Sequence, residues 1–346
     1  MRDYGINGQI GLEKTPEEYV QKFVVIFREI RRVLKKDGTC WLNLGDTYNA
    51  GRKGGWAGGK NGVSRPEIAP NQSGVDVENL KPKDLIGIPW RVAFALQQDG
   101  WWLRQDIIWS KPNPMPESVT DRCTKSHEYI FLLSKSKNYY YDAEAIKEEF
   151  QGKDERIWSA KYDDVGSILQ GQTNAGIKRT KRYPDSNGRN KRSVWTITTK
   201  PFSGAHFAAF PEDLIEPMIK AGTSEKGICP DCGKLWIRIT QNKSMIIKRS
   251  NGTHEKGRTR SSGTMLEPPE TKTLGWRSSC KCDKEPIPAI VLDPFMGSGT
   301  TALVARKLLR HYIGFDLNPD YVKMAQDRLN GIPSRLESFV EMEATP

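Results

Sequence analysis

Long apolar runs are missing from this chain of 346 residues. No stretch approaches the roughly twenty apolar residues of a membrane-spanning helix, and no secretory signal opens the sequence, so a cytoplasmic protein with no membrane partner is expected. Cysteine is scarce: six residues do not suggest a disulfide-built scaffold. Acidic residues are in deficit, 42 against 53 Lys and Arg, which gives a net charge of +11 and a sequence pI near 9.2. Such a balance points to a polyanion partner. What the chain does have is length for a large core, as one big domain or one with an inserted module. It also has ten Trp and eleven Tyr, which offer stacking surfaces although most aromatics simply pack.

One stretch organises the rest. Residues Ala289 to Pro319 read A-I-V-L-D-P-F-M-G-S-G-T-T-A-L-V-A-R-K-L-L-R-H-Y-I-G-F-D-L-N-P. Ile290 to Leu292 suit a buried parallel strand, ended by Asp293 and Pro294. Gly297 and Gly299 permit tight turns. Thr300 and Thr301 open a helix, Tyr312 to Phe315 form a second strand, and Asp316 ends it. A helix N-terminus facing the loop favours an anionic group, and Asp316 is placed to hydrogen-bond two ribose hydroxyls. The unit suits an adenosine-containing cofactor. G-S-G-T-T-A also fits the G-x-G-x-x-A dinucleotide pattern, so a nicotinamide site stays open at this point.

Taken in order, Thr15-Pro16-Glu17-Glu18 predicts a helix start with a capping box, and apolar residues at helical spacing run from Tyr19 to Ile30. Thr39 to Leu44 predicts a strand ending in Asn43-Leu44-Gly45-Asp46. Residues 50 to 80 lack period and read as a loop. A helix over Asp84 to Gln98 and strands over Trp102 to Trp109 and Glu128 to Leu133 follow, with Tyr139 to Tyr141 a candidate return strand. From Ile177 to Trp195 there are seven Lys or Arg and one Asp. That run is either a solvated loop or a phosphate-contacting segment. A helix from about Glu212 to Ala221 comes next.

Cys229-Pro230-Asp231-Cys232-Gly233 has the spacing of a metal knuckle, and Cys280-Lys281-Cys282 offers a second pair. Four sulfurs would make a closed structural Zn2+ site, the alternative being four reduced cysteines in a surface insert. The residues between the pairs are poor in core formers, so a metal clip would help hold them. Cys40 and Cys123 lie in apolar surroundings and are read as packed.

The order of these strings matters. A strand ending N-L-G-D, then I-I-W-S-K-P-N-P-M-P, a basic stretch, G-A-H-F-A-A-F-P and D-P-F-M-G-S-G-T-T resembles the permuted DNA amino-methyltransferases (adenine-N6 or cytosine-N4) of restriction–modification systems and phages. The resemblance implies an α/β fold, a doubly wound, mostly parallel sheet with one antiparallel strand, S-adenosylmethionine as cofactor, and double-stranded DNA with the target base flipped out as partner. It also implies that Asp293, Phe295, Gly297, Gly299 and Thr300 shape the cofactor pocket, that Asp316 takes the ribose, and that His206 and Phe207 lie on the methionine side. The expected organisation is a catalytic half at 1–142, a DNA-recognition region at 143–200, a cofactor-side segment at 201–224, a zinc-ribbon-like insert at 225–285 and the cofactor-binding half at 286–346.

One family element is absent. The catalytic Ser/Asp-Pro-Pro-Tyr tetrapeptide of the family occurs nowhere in the sequence. In the family that loop accepts the hydrogens of the amine and stacks on the flipped base. The expectation is therefore a methyltransferase truncated at its start or, failing that, an inactive DNA-binding remnant; a nicotinamide oxidoreductase is the more distant alternative. Cytosine-C5 chemistry is set aside, because it needs a nucleophilic cysteine, usually after a proline, and no cysteine here follows one.

Overall fold

The computed structural model describes residues 8–49, 80–149, 188–200, 210–243 and 270–331, with the backbone of 246–249 and 263–267. Helix α1, Pro16–Val33, starts where Thr15 accepts the Glu18 amide at 3.1 Å and Pro16 presets the first turn. Its apolar stripe of Tyr19, Val20, Phe23, Val24 and Phe27 is buried. Strand β1, Thr39–Leu44, follows, then α2, Ile88–Gln98. The expected start of α2 at Asp84 was too early. Gly87 takes a left-handed φ of 77°, and the helix begins beyond it at Ile88. The free amides of Gly87 and Ile88 are capped by Asp46, at the end of β1, at 3.0 and 3.1 Å.

Strands β2, Trp102–Ser110, and β3, His127–Ser134, pair antiparallel, and β1 pairs with the other edge of β3. Strand β4, Val194–Thr196, runs parallel to β2, giving the order β1-β3-β2-β4. Three of these strands run one way and β3 alone runs against them, as the resemblance implied. Ile130-Phe131-Leu132-Leu133 is buried on both faces, the signature of an inner strand. Phe131 and Leu133 meet α1 and α2 on one face; Ile130 meets α3, Glu212–Gly222, and α4, Thr300–Lys307, on the other. Helices thus cover both faces of the sheet, an α/β arrangement. The candidate return strand at Tyr139–Tyr141 is not one: the Tyr140 amide goes to the Asp37 carbonyl at 2.8 Å and a short 3-10 turn follows.

An antiparallel ribbon comes next. Strand β5, Trp236–Lys243, pairs with β8, Glu270–Ser278, and beyond them β6, Ile246–Arg249, pairs with β7, Gly263–Glu267. Then β9, Ile290–Asp293, and β10, His311–Gly314, pair parallel across α4, and α5, Pro319–Asn330, packs on α4. The expectation that Ile290 to Leu292 form a buried strand is corrected: Ile290 is exposed, its neighbours are half-buried, and every residue of β10 is exposed. The reason is pairing. Among the described residues β9 has one strand neighbour, β10, and no ladder joins it to β1. The two nevertheless lie close. Trp41 of β1 and Val291 of β9 share an apolar cluster, and Phe23 of α1 stacks on Phe295 at 6.1 Å.

Candidate functional site

The glycine loop is built by backbone. Gly297 and Gly299 have φ of 51° and 79°, a region closed to most side chains. Their free sides differ. A Cβ on Gly299 would strike Ala325 of α5 at 2.7 Å, so this glycine lets α5 close on the loop. A Cβ on Gly297 would meet nothing nearer than a carbonyl at 4.0 Å, so that side of the loop opens on free space. The Met296 amide bonds the Phe315 carbonyl at 2.8 Å and the Phe315 amide bonds the Asp293 carbonyl at 3.0 Å, which carries the β9–β10 ladder into the loop.

The two carboxylates differ in environment. Asp293 accepts the Phe295 amide at 3.0 Å. Burial pushes its carboxyl above the ordinary range, against the pull of hydrogen bonds from Thr301 and Phe295, and the Asp316 charge adds to the rise. Asp316 accepts the Gly297 amide at 2.8 Å on one oxygen and the Asn318 amide at 2.8 Å on the other. Asp316 therefore ties the loop to the turn after β10, a role that its place in the sequence did not reveal. Phe295 is exposed by 45% beside Phe23, and Thr300 is buried with its hydroxyl 3.3 Å from Arg328. The structure thus brings Asp293, Phe295, Gly297, Gly299 and Thr300 together in one loop, with Asp316 bonded to it from the turn after β10. His206 and Phe207 lie outside the described residues.

The polar groups at the end of β1 are partly occupied. The Asn43 amide donates to the Tyr129 carbonyl at 3.0 Å, and one Asp46 oxygen accepts three amides, from Thr47, Gly87 and Ile88. Nearby, Lys111 pairs with Glu128 and lies 4.2 Å from the Trp109 ring, while Arg122 pairs with Glu117 at 2.6 Å and covers the Tyr48 ring. The contacts of Asn43 with Tyr129, of Asp46 with Gly87 and Ile88, of Lys111 with Glu128 and of Arg122 with Tyr48 were not legible in the sequence, because each joins separate segments.

The four insert cysteines do meet. The Sγ atoms of Cys229, Cys232, Cys280 and Cys282 all lie within 4.8 Å of one another. The knuckle turns because the Gly233 amide bonds the Cys229 carbonyl at 2.9 Å and Gly233 adopts a φ of 69°. The Ser278 hydroxyl pushes the Cys280 thiol down to about 6, with the Cys282 amide and the neighbouring sulfurs helping, while hydrogen bonds shared with Cys232 and Cys280 push Cys282 up. Four thiols this close resist losing all their protons without a cation among them. Cys40, by contrast, is pushed up to about 12 by burial and by the nearby Asp293 charge, as a packed cysteine should be. Cys123, also read as packed, is exposed.

Part of the basic run gathers on one acid. Arg189, Lys191 and Arg192 gather on Glu148 at 3.2, 3.8 and 3.2 Å; Lys178, Arg179, Lys181 and Arg182 lie outside the described residues.

Helices on both faces of a sheet with one reversed strand, and a glycine turn closed by a terminal acid, define an α/β domain built for an adenosine-containing cofactor. A family model described as DNA methylase, of the N6/N4 type, matches residues 3–232 and 284–327. The chain belongs to the N6/N4 DNA methylase family, the S-adenosylmethionine-dependent DNA amino-methyltransferases. It is 39% identical over 333 residues to the Type II methyltransferase M.Cfr9I of Citrobacter freundii, spanning 96% of this chain and 78% of that one. It is 37% identical over 331 residues to the Type II methyltransferase M.SmaI of Serratia marcescens, spanning 95% and 80%. Among solved structures, the cytosine-N4-specific PvuII DNA methyltransferase aligns over 98% of this chain and 78% of its own with a TM-score of 0.48 and 16% identity. No helix among the described residues is long and apolar enough to cross a membrane.

Proposed function

We propose that the chain acts on double-stranded DNA of a restriction–modification system, moving a methyl group to an exocyclic amine, cytosine N4 or adenine N6, of a base turned out of the duplex. The observation that carries this is the 293–316 unit, whose glycine loop is held by two acids of different character and opens at Gly297. The residues fit S-adenosylmethionine, which when bound supplies an electrophilic methyl on a sulfonium. The free side of Gly297 leaves room for the cofactor. Asp316, fixed by two amides, keeps lone pairs for ribose hydroxyls. Phe295 offers an aromatic face, and His206 and Phe207 are assigned to the methionine side.

The domain plan proposed with it puts the catalytic half at 1–142, DNA recognition at 143–200, a cofactor-side segment at 201–224, the insert at 225–285 and the cofactor half at 286–346. One structural Zn2+ on Cys229, Cys232, Cys280 and Cys282 closes the insert, a closed all-sulfur set having no open position for chemistry.

Direct transfer depends on holding the amine nitrogen in line with the methyl. The family's Pro-Pro-Tyr grip is not in these 346 residues, and at the end of β1 the Asn43 amide nitrogen and one Asp46 oxygen are engaged in the fold. That favours a second reading, in which these residues alone bind cofactor and DNA with little turnover. Tritiated-methyl transfer to unmethylated DNA, run with this chain and with a form extended upstream, separates the two. Turnover only in the extended form supports the methyltransferase reading with a grip supplied from outside these residues; robust turnover by the short chain means another segment grips the amine. No transfer by either leaves the DNA-binding remnant, and loss of cofactor binding by both would overturn the methyltransferase assignment.

A further inference from the structure

The insert holds more of the molecule's charge than its length explains. Residues 234–285 carry twelve Lys or Arg and five Asp or Glu, net +7 of the chain's +11. The family match passes over 233–283, so this charge lies outside the part of the chain that the family shares. Among the described residues from 230 to 288 none is buried, so the ribbon presents its strands to solvent. Its cations are not all used by the fold. Arg238 is: it bonds Asp142 at 2.9 Å and Glu225 at 2.9 Å and lies over Trp276. Lys272 pairs with Glu270. Lys234, Arg277 and Lys281 pair with no acid among the described residues, and they line one cleft with Ile237, Cys232 and Cys282.

We propose that this insert is a second DNA-contacting arm, in which Lys234 and Lys281 of the cysteine knuckles and Arg277 of β8 receive the phosphates of the duplex backbone. The inference rests on the DNA-methyltransferase reading and deepens it. A cleft with three unpaired cations suits a phosphodiester, and a two-stranded antiparallel ribbon is an element that a DNA groove admits. The arm is also built to bear load. Its base is fixed to the body by the Arg238–Asp142 pair, by the paired backbones of Ile228 and Ile287, and by Lys35 of the α1–β1 turn, which donates to the Gly233 carbonyl at 2.7 Å. Of the basic run at 177–195, the first candidate for phosphate contact, the three described cations Arg189, Lys191 and Arg192 gather on Glu148. A competing use for the ribbon cations is charge balance, since a zinc ion on four thiolates carries two net negative charges.

The test is duplex binding by the full chain, measured by fluorescence anisotropy on labelled unmethylated DNA over a range of salt. Lys234→Gln/Arg277→Gln/Lys281→Gln is expected to weaken binding on all sequences and to flatten the log–log salt slope by about 2–3, close to 0.9 for each phosphate that is no longer neutralised. S-adenosylmethionine affinity by calorimetry and zinc by elemental analysis should stay at wild-type values. The charge-keeping Lys234→Arg/Arg277→Lys/Lys281→Arg should restore the slope. If the triple Gln variant does not fold, Arg277→Gln alone should flatten the slope by about 1. An unchanged slope in a folded variant overturns the arm, and an unchanged slope together with loss of zinc assigns the cations to charge balance instead. A wild-type chain that binds cofactor but no duplex overturns both the arm and the DNA reading beneath it.

Discussion

Strand β3 and the β5–β8 ribbon are both antiparallel, and almost nothing else about them is alike. In β3, Ile130 to Leu133 are buried on both faces, between α1 and α2 on one side and α3 and α4 on the other. The ribbon has no buried residue to set against them. One region is held by apolar surface removed from water; the other depends on ladder hydrogen bonds, one charged anchor and a cluster of sulfurs. The difference predicts that the ribbon can be unclipped without unfolding the sheet, whereas removing a core side chain from the sheet destabilises the whole domain.

The largest effect is expected in the sheet. Phe131→Ala should cost about 3–5 kcal/mol in denaturant unfolding followed by circular dichroism, because a fully buried ring is replaced by a cavity. A cost below about 1 kcal/mol would mean that β3 is not the centre of the core. The anchor of the ribbon ranks next. Arg238→Ala leaves Asp142, whose side chain is only 5% exposed, without its main partner, and should cost about 3 kcal/mol. The same substitution should speed hydrogen exchange in β5 and β8; exchange unchanged there would show that the sulfurs alone hold the ribbon.

Zinc removal sharpens the contrast directly. Chelation is expected to speed exchange in the ribbon while the melting of the sheet stays in place, and elemental analysis of the untreated protein should find about one zinc per chain. A sheet that unfolds with chelation would make the metal global in its effect, and a metal-free preparation with a protected ribbon would remove the clip.

Two smaller effects concern the loop. Asp316→Ala should weaken S-adenosylmethionine binding by about 1.5–3 kcal/mol in calorimetry, through the absence of charge-assisted hydrogen bonds to ribose and through release of the Gly297 amide. Tight binding that ignores this substitution would sink the assignment. Asp293→Asn should raise the melting temperature slightly at pH 7. Burial raises the Asp293 pKa, so the folded state holds that proton more firmly than the unfolded chain does. Its contribution is full below the unfolded value and is lost as pH rises through the folded value. The gain from Asn should therefore shrink as pH falls through the carboxylate range; a gain independent of pH would point to packing.

Much of this molecule was written locally. Thr15-Pro16 sets the start of α1, the apolar period of 19–30 sets its buried face, and Gly297 and Gly299 set the loop, because each depends on neighbours along the chain. The spacing within each cysteine pair announced a metal knuckle for the same reason, and family membership followed from strings in order. Burial could not be read in this way. Ile130–Leu133 and Tyr312–Phe315 are both short apolar strands, yet one is enclosed and the other open, because enclosure depends on which strands and helices lie alongside. The start of α2 was misread because its cap, Asp46, comes from the end of β1. Asp316 was read as a ribose ligand alone, although its first partners are the amides of Gly297 and Asn318. The sequence by itself determined elements, turns and chemistry within a few residues, where covalent connection fixes the distances. Only the tertiary structure decided which charges are spent on the fold and which stay free for a ligand. Arg189, Lys191 and Arg192 meet Glu148 across some forty residues of chain, and Lys234, Arg277 and Lys281 meet no acid among the described residues; no local pattern sets such a distance.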